Sequence, residues 1–198
     1  MSKKAPIDTR GNIIDTAIPL FAGNGYSGVS VRTIAKLVGI SAAALYHHFP
    51  DKQSLYLAAM EQAFADKAQA IIKTLTGPEN AWGRLDAFLA DFIQLMGEDA
   101  DFRALLQREL LDGDDARLQL LAEQVFREPF EAVSVLMHEI NPDIDSHLMA
   151  ISIAGLVLFH FDSAPIRRFL PGGEQTHDQT DVVFEHIQSL LHQALSRD

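Results

Sequence analysis

Ser30 to Lys52, SVRTIAKLVGISAAALYHHFPDK, reads as two short helices joined by a tight turn. Val31, Ile34, Ala35 and Val38 recur at i, i+3, i+4 and i+7, one apolar face of a first helix that Ser30 can cap. Gly39 follows, where the chain must leave the helix and a positive φ is cheap only for glycine. Ile40 plugs the corner, and Ser41 can cap a second helix through Ala42, Leu45 and Tyr46. Pro50 stops that helix, because the residue before proline is pushed out of the helical region. Asp51 then offers a cap for a third helix. A helix, a glycine turn and a short second helix make a helix-turn-helix pattern.

The flanking residues extend the pattern. Leu20 to Tyr26 reads LF-x-x-x-GY, Val31 to Ala35 reads V-x-x-IA, Gly39 to Ser41 is G-I-S, and Leu45 to Lys52 is LYHHF-x-x-K. With these marks the run from Gly11 to Met60 resembles the DNA-binding region of TetR-family bacterial transcription regulators. About the first quarter of the chain carries the resemblance; the remainder shows no motif that stands alone. The chain departs from the family pattern at Ala42-Ala43-Ala44, where a polar or charged residue, a glycine and a threonine are common.

Charge is distributed to match. The chain of 198 residues has a net charge of −11, which taken whole argues against nucleic acid. Residues 1–52, however, hold six Lys or Arg against three Asp, a net charge of +3 that leaves −14 for the rest. A basic head on an acidic body suits a protein that meets phosphate at one end only. There is no cysteine, so disulfides and thiolate chemistry are excluded. The opening MSKKAPIDTRG lacks an apolar h-region, and the longest apolar run, Leu148 to Phe161, is too short to span a bilayer. A soluble cytoplasmic protein is the expectation.

Taken in order, residues 1–7 read as a mobile arm. Asp8 or Thr9 can cap a first helix with Ile13, Ala17, Leu20 and Phe21 on one face, ended by Asn24-Gly25 and bent modestly near Asp15 to Pro19. A linking helix of about residues 51–74 leaves the head, and Thr76 to Asn80 is a loop. Beyond it everything reads as helix. One helix carries Leu85, Phe88, Leu89, Phe92, Ile93 and Met96; the next carries Phe102, Leu105, Leu106, Leu110 and Leu111 and closes at Gly113. A long helix from about Asp115 to Ile140 contains Pro129, which frees the Val125 carbonyl and predicts a kink. Leu148 to Phe161 is apolar on nearly every face, which predicts burial all round. Residues 171–180 read as loop. The last helix carries Val183, Ile187, Leu190, Leu191 and Ala194.

The resemblance implies DNA contacts at Ser30, Arg32, Thr33, Ser41, Ala42, Ala43, Tyr46, His47, His48 and Lys52. Ser30, Thr33 and Ser41 lie at helix starts, where hydroxyls and free N–H groups hold phosphate. Tyr46 and His48 can donate to phosphate oxygens, Lys52 brings a point charge, and Arg32 is the long cation able to reach a guanine edge. The alanines offer methyl groups suited to thymine, so specificity leans on Arg32, Tyr46, His47 or DNA shape. Ordinary surface packing is the competing reading of Tyr46, His47 and His48.

In the body, Phe92, Met96, Phe102, Phe126, Phe130 and Phe159 suit a pocket for an effector, and each suits plain core as well. Arg108 and Glu109 are the polar residues set to face inward, against the alternative of a surface ion pair. Arg108 completes the effector set, as the partner of a ligand carboxylate. Val183, Ile187, Leu190 and Leu191 are assigned to pairing with a twofold mate. No phosphate loop, nucleophile elbow or H-E-x-x-H motif is present. His160, His177, His186 and His192 lack metal-ligand spacing, and no cofactor is called for.

Together these readings predict an all-α chain. Residues 1–52 form a three-helix DNA-binding head and residues 53–198 a larger effector-binding and dimerisation domain. The implied function is transcriptional regulation, most simply repression relieved when a small hydrophobic effector releases a homodimer from double-stranded operator DNA. Two rivals from other classes stand beside it: a ligand-free dimeric interaction protein, and an enzyme using the body's histidines and carboxylates.

Overall fold

The structure, a computed structural model, describes residues 8–196, with backbone alone at 65 and 66. The arm of residues 1–7 lies outside the described residues. In chain order the helices are α1 (Thr9–Gly28), α2 (Val31–Val38), α3 (Ala42–His48), α4 (Lys52–Leu75), α5 (Ala81–Glu98), α6 (Ala100–Asp112) and α7 (Asp115–Leu121). A π-helical segment, Ala122–Phe126, leads into α8 (Arg127–Ile140), followed by α9 (Ser146–Asp162), α10 (Ala164–Arg167), a 3₁₀ turn (Gln175–Asp178) and α11 (Thr180–Leu195). No strand occurs among the described residues. The chain divides into two compact units. One comprises residues up to 65 with 104–125, the other 66–103 with 126–198.

Local capping builds the first unit. Asp8 accepts from the Gly11 N–H, Ser30 from Thr33 and Ser41 from Ala44, so each of α1, α2 and α3 starts on a side-chain oxygen. Gly39 leaves α2 at φ 80°, and its neighbour's Ile40 N–H returns to the Ala35 carbonyl. Helical dihedrals in α1 break at Gly25 (φ 70°, ψ 173°), the glycine expected to end the helix. Ile13, Ala17, Phe21, Ile34, Leu45, Phe49, Leu55 and Met60 fill the core. Phe21, Tyr26 and Tyr56 add an aromatic cluster with edge contacts at 4.9 and 5.1 Å.

In the second unit α5 packs on α8, α9 and α11, and α8 packs on α9. Leu85, Leu89, Ile93 and Met96 meet Leu136, Met137, Ile153, Val157, Val183, Ile187, Leu191 and Leu195 in its core. At Gly97, near the end of α5, a Cβ would lie 2.4 Å from the Thr180 methyl, so a larger residue there would force the threonine side chain to move. The expected kink around Pro129 takes the form of the π segment just ahead of it. That widened turn accommodates a carbonyl row that a proline cannot complete.

Several expectations are corrected by the fold. Leu110 and Leu111 were expected on the apolar face of α6; they are 61% and 80% exposed, and Glu109 is the buried member of that turn. Helix α9 is not buried all round within the chain: Leu148, Ile151 and Phe159 are 62%, 54% and 71% exposed along one stripe. Of the proposed dimer stripe, Val183, Ile187 and Leu191 are buried in the protein's own core and only Leu190 is exposed. Residues 171–180, expected as loop, include the 3₁₀ turn.

Candidate nucleic-acid interface

The capped starts of α2 and α3 bring the predicted DNA contacts to solvent. Ser30, Arg32, Thr33, Ser41, Ala43, Tyr46, His47 and His48 are all exposed, and Ala42 is half-buried. Val31, Ile34, Ala35 and Leu45 of the same helices point into the core, which fixes the outer face by default. Ser30 Oγ both accepts from the Thr33 N–H at 3.1 Å and lies 2.8 Å from Thr33 Oγ1. Ser41 Oγ accepts from the Ala44 N–H at 3.1 Å. Each serine therefore orients its helix start and keeps lone pairs or a proton for an outside partner.

Lys52 is less free. Its Nζ lies 4.3 Å from the centre of the Tyr26 ring, and burial, then the neighbouring Arg117 guanidinium, holds the ammonium below its ordinary pKa. Arg117 sits over the same ring at 4.3 Å. Arg117 is in turn anchored by Glu109, which accepts from its Nε at 2.9 Å and from the Tyr56 hydroxyl at 2.7 Å. Burial comes first in pushing the Tyr26 phenol up, and burial with the Glu109 hydrogen bond pushes Tyr56 up much further. A buried acid, arginine and tyrosine thus back the corner of the head that carries Lys52. From the sequence Glu109 stands between an inward position and a surface ion pair; the structure buries it with Tyr56 and Arg117 as partners. The available signal was the spacing of Phe102, Leu105 and Glu109, one face at i, i+3 and i+7.

Arg108 has a different task from the one expected. Its Nε donates to the Ala22 carbonyl and a terminal nitrogen to the Gly23 carbonyl, both at 2.6 Å. Both carbonyls lie within three residues of the break at Gly25, so Arg108 caps the interruption inside α1. Its assignment to an effector carboxylate is corrected accordingly. Among the other residues of that set, Met96 and Phe102 are buried. Phe92, Phe126 and Phe130 are half-buried. Phe92 stacks on Phe88 at 5.6 Å and Phe130 meets His147 at 5.0 Å. Phe159 points outward. Among the described residues no group of three or more acidic or histidine side chains is arranged to hold a metal ion.

The family model for bacterial regulatory proteins, tetR family, matches residues 13–59, the capped helices just described. Residues 13–59 are a tetR-family domain. The transcriptional repressor AcnR of Corynebacterium efficiens is 36% identical over 66 residues, which cover 33% of this chain and 35% of AcnR. The chain thus spans about a third of the length of that curated relative. Beyond the tetR-family head the likeness is one of fold. AibR, solved with isovaleryl coenzyme A and operator DNA, superposes with a TM-score of 0.72 at 20% identity, covering 92% of this chain and 97% of that one. FadR of Bacillus subtilis, solved with stearoyl-CoA, gives 0.73 at 18% identity over 90% and 97%.

Proposed function

We propose that this chain is a one-component transcriptional repressor, acting in the cytoplasm as a homodimer and released from operator DNA by a small, largely apolar effector. The observation that carries the reading is the outer face of α2 and α3. It offers two serine-capped helix starts, Arg32, Tyr46 and two histidines to solvent on a head with a net positive charge. In such a head the second helix of the motif lies in the major groove, while the residues around it hold phosphates. Residues 1–52 supply the DNA contacts in this reading, and residues 53–198 the effector and dimer functions.

Two further observations support the regulatory side. The exposed stripe Leu148, Ile151 and Phe159 on α9, with Leu190 on α11, is an apolar face that a second copy would cover. A dimer sets its two heads about 34–36 Å apart on DNA, one helical turn. An effector acts by binding better to a state that loses this spacing. Phe92, Phe126 and Phe130, half-buried in the second unit, are the side chains of the proposed set on which an apolar guest could pack. The complexes of AibR and FadR with acyl-CoA ligands suggest an acyl group as the class to try first.

The test begins with selection of a duplex from a random pool, then measures binding by fluorescence anisotropy at several salt concentrations. A selected palindrome bound by two chains, with affinity lowered by an acyl-CoA, is the expected result. No enrichment of any sequence would end the proposal.

A further inference from the structure

Four elements of the second unit converge on a recess of about 300 Å³. The end of α9 brings His160, α10 brings Arg167, the 3₁₀ turn brings His177, and the first turns of α11 bring Val182, Val183 and His186. None of these side chains belongs to the DNA-facing surface or to the aromatic set assigned to the effector.

The hydrogen-bond roles in the recess follow from partners that can act in one way only. A guanidinium only donates, so the 3.2 Å contact between an Arg167 terminal nitrogen and His160 Nδ1 makes that ring nitrogen the acceptor. The neutral His160 ring then carries its proton on Nε2. His177 Nδ1 is likewise an acceptor, from the Glu174 N–H at 3.2 Å. His186 stands edge-on to His160 with ring centres 5.6 Å apart. The lining surface is mostly apolar, with N–H donors at a few points and no carboxylate; Asp178, which pairs with Arg167, lies outside it. A largely apolar recess with a few N–H donors and two valines in its wall calls for a ligand with acceptor oxygens at one end and an apolar body.

We propose that this recess binds a small organic carboxylate, its oxygens received by Arg167 and the histidines and its carbon chain lying against Val182 and Val183. The charge count favours a carboxylate over phosphate. Asp178 already offsets Arg167. Burial first, then Arg167 and His186, keep His160 below its ordinary pKa and so neutral near pH 7. With Asp178 already on Arg167, an incoming anion shares that guanidinium, and a singly charged carboxylate meets less repulsion from Asp178 than a doubly charged phosphate does. The volume is at the small end of ligand pockets, enough for an acid of a few carbons. The inference concerns binding alone and does not rest on the DNA-binding reading.

Calorimetry on the full chain without DNA tests it, using sodium butyrate, sodium hexanoate, hexanamide and inorganic phosphate as probes. One hexanoate or butyrate per chain is expected, with hexanamide and phosphate at least tenfold weaker. Val182→Trp, which fills the recess, and His186→Ala, a change at an exposed position, should each weaken the acid at least tenfold while thermal unfolding stays cooperative. In NMR spectra of the imidazoles, hexanoate should move His160, His177 and His186 and leave His138 and His147 in place. The proposal is overturned if neither acid binds, if hexanamide or phosphate binds as well as hexanoate, if both variants bind like the parent, or if His147 is the ring that responds. Loss of operator binding with carboxylate binding intact would instead refute the regulatory reading alone.

Discussion

Tyr56 donates its hydroxyl proton to Glu109 Oε2 at 2.7 Å across 53 residues of sequence, inside the core of the first unit. The other oxygen of Glu109, 1% exposed, accepts from Arg117. A buried carboxylate survives because both its oxygens are bonded and its charge is matched. Tyr56→Phe removes one of those bonds and should cost about 1–3 kcal/mol in denaturant unfolding. Glu109→Ala leaves Arg117 without its buried partner and should cost more, about 3–5 kcal/mol. Equal stability of parent and Tyr56→Phe would show that the bond contributes nothing net.

The same phenol sets an alkaline limit. Its pKa is raised in the folded state, so the associated stability is present below the unfolded value of about 10 and is lost as pH rises beyond it. Tyr26, raised by burial, acts in the same direction. Thermal unfolding temperature should fall above about pH 10, and Tyr56→Phe should flatten that fall.

Asp51 and Asp99 set the acid limit. Hydrogen bonds from Ser54 lower Asp51. At Asp99, burial works upward but is outweighed by Lys67 and the Phe102 N–H, which hold the carboxyl below its usual value. Depressed carboxyls contribute stability above their unfolded pKa, about 3.9, and lose it as pH falls through the folded value. Asp99→Asn should therefore narrow the stability gap between pH 7 and pH 3, as read from urea midpoints at the two pH values.

On DNA, Arg32→Ala should bind duplexes with reduced discrimination between the selected operator and a scrambled one. Lys52→Ala should weaken binding to both alike and reduce the slope of log K against log salt by ~1. Should Lys52→Ala leave the slope unchanged, the ammonium on the Tyr26 ring serves the head's packing and not the phosphates.

Leu148→Glu and Phe159→Glu should each give a folded monomer by light scattering, with much weaker operator binding. Leu191→Glu should behave differently. Leu191 is 3% exposed within one chain, so a charge there should unfold the second unit rather than merely separate a pair of copies. A parent that is monomeric at micromolar concentration would remove the dimer from the proposal.

The sequence by itself determined the head. Ser30, Gly39, Ser41, Pro50 and Asp51 act on backbone groups within three or four residues of themselves, so their effect can be read without knowing what lies opposite. The all-helical body was legible for the same reason, through apolar spacing and punctuation. Tertiary structure alone decided which face of each body helix turns inward. In α6 the leucine pair at 110 and 111 outweighed Glu109 in the pattern, yet Tyr56 and Arg117 make the acid's face the buried one. In α11 the choice between Leu190 and Leu191 was made by the neighbouring α5 and α9. Arg108 caps a helix break 85 residues away, and His160, Arg167, His177 and His186 gather from separate turns. Such pairings depend on which distant groups need a partner, and spacing along one helix carries no record of that.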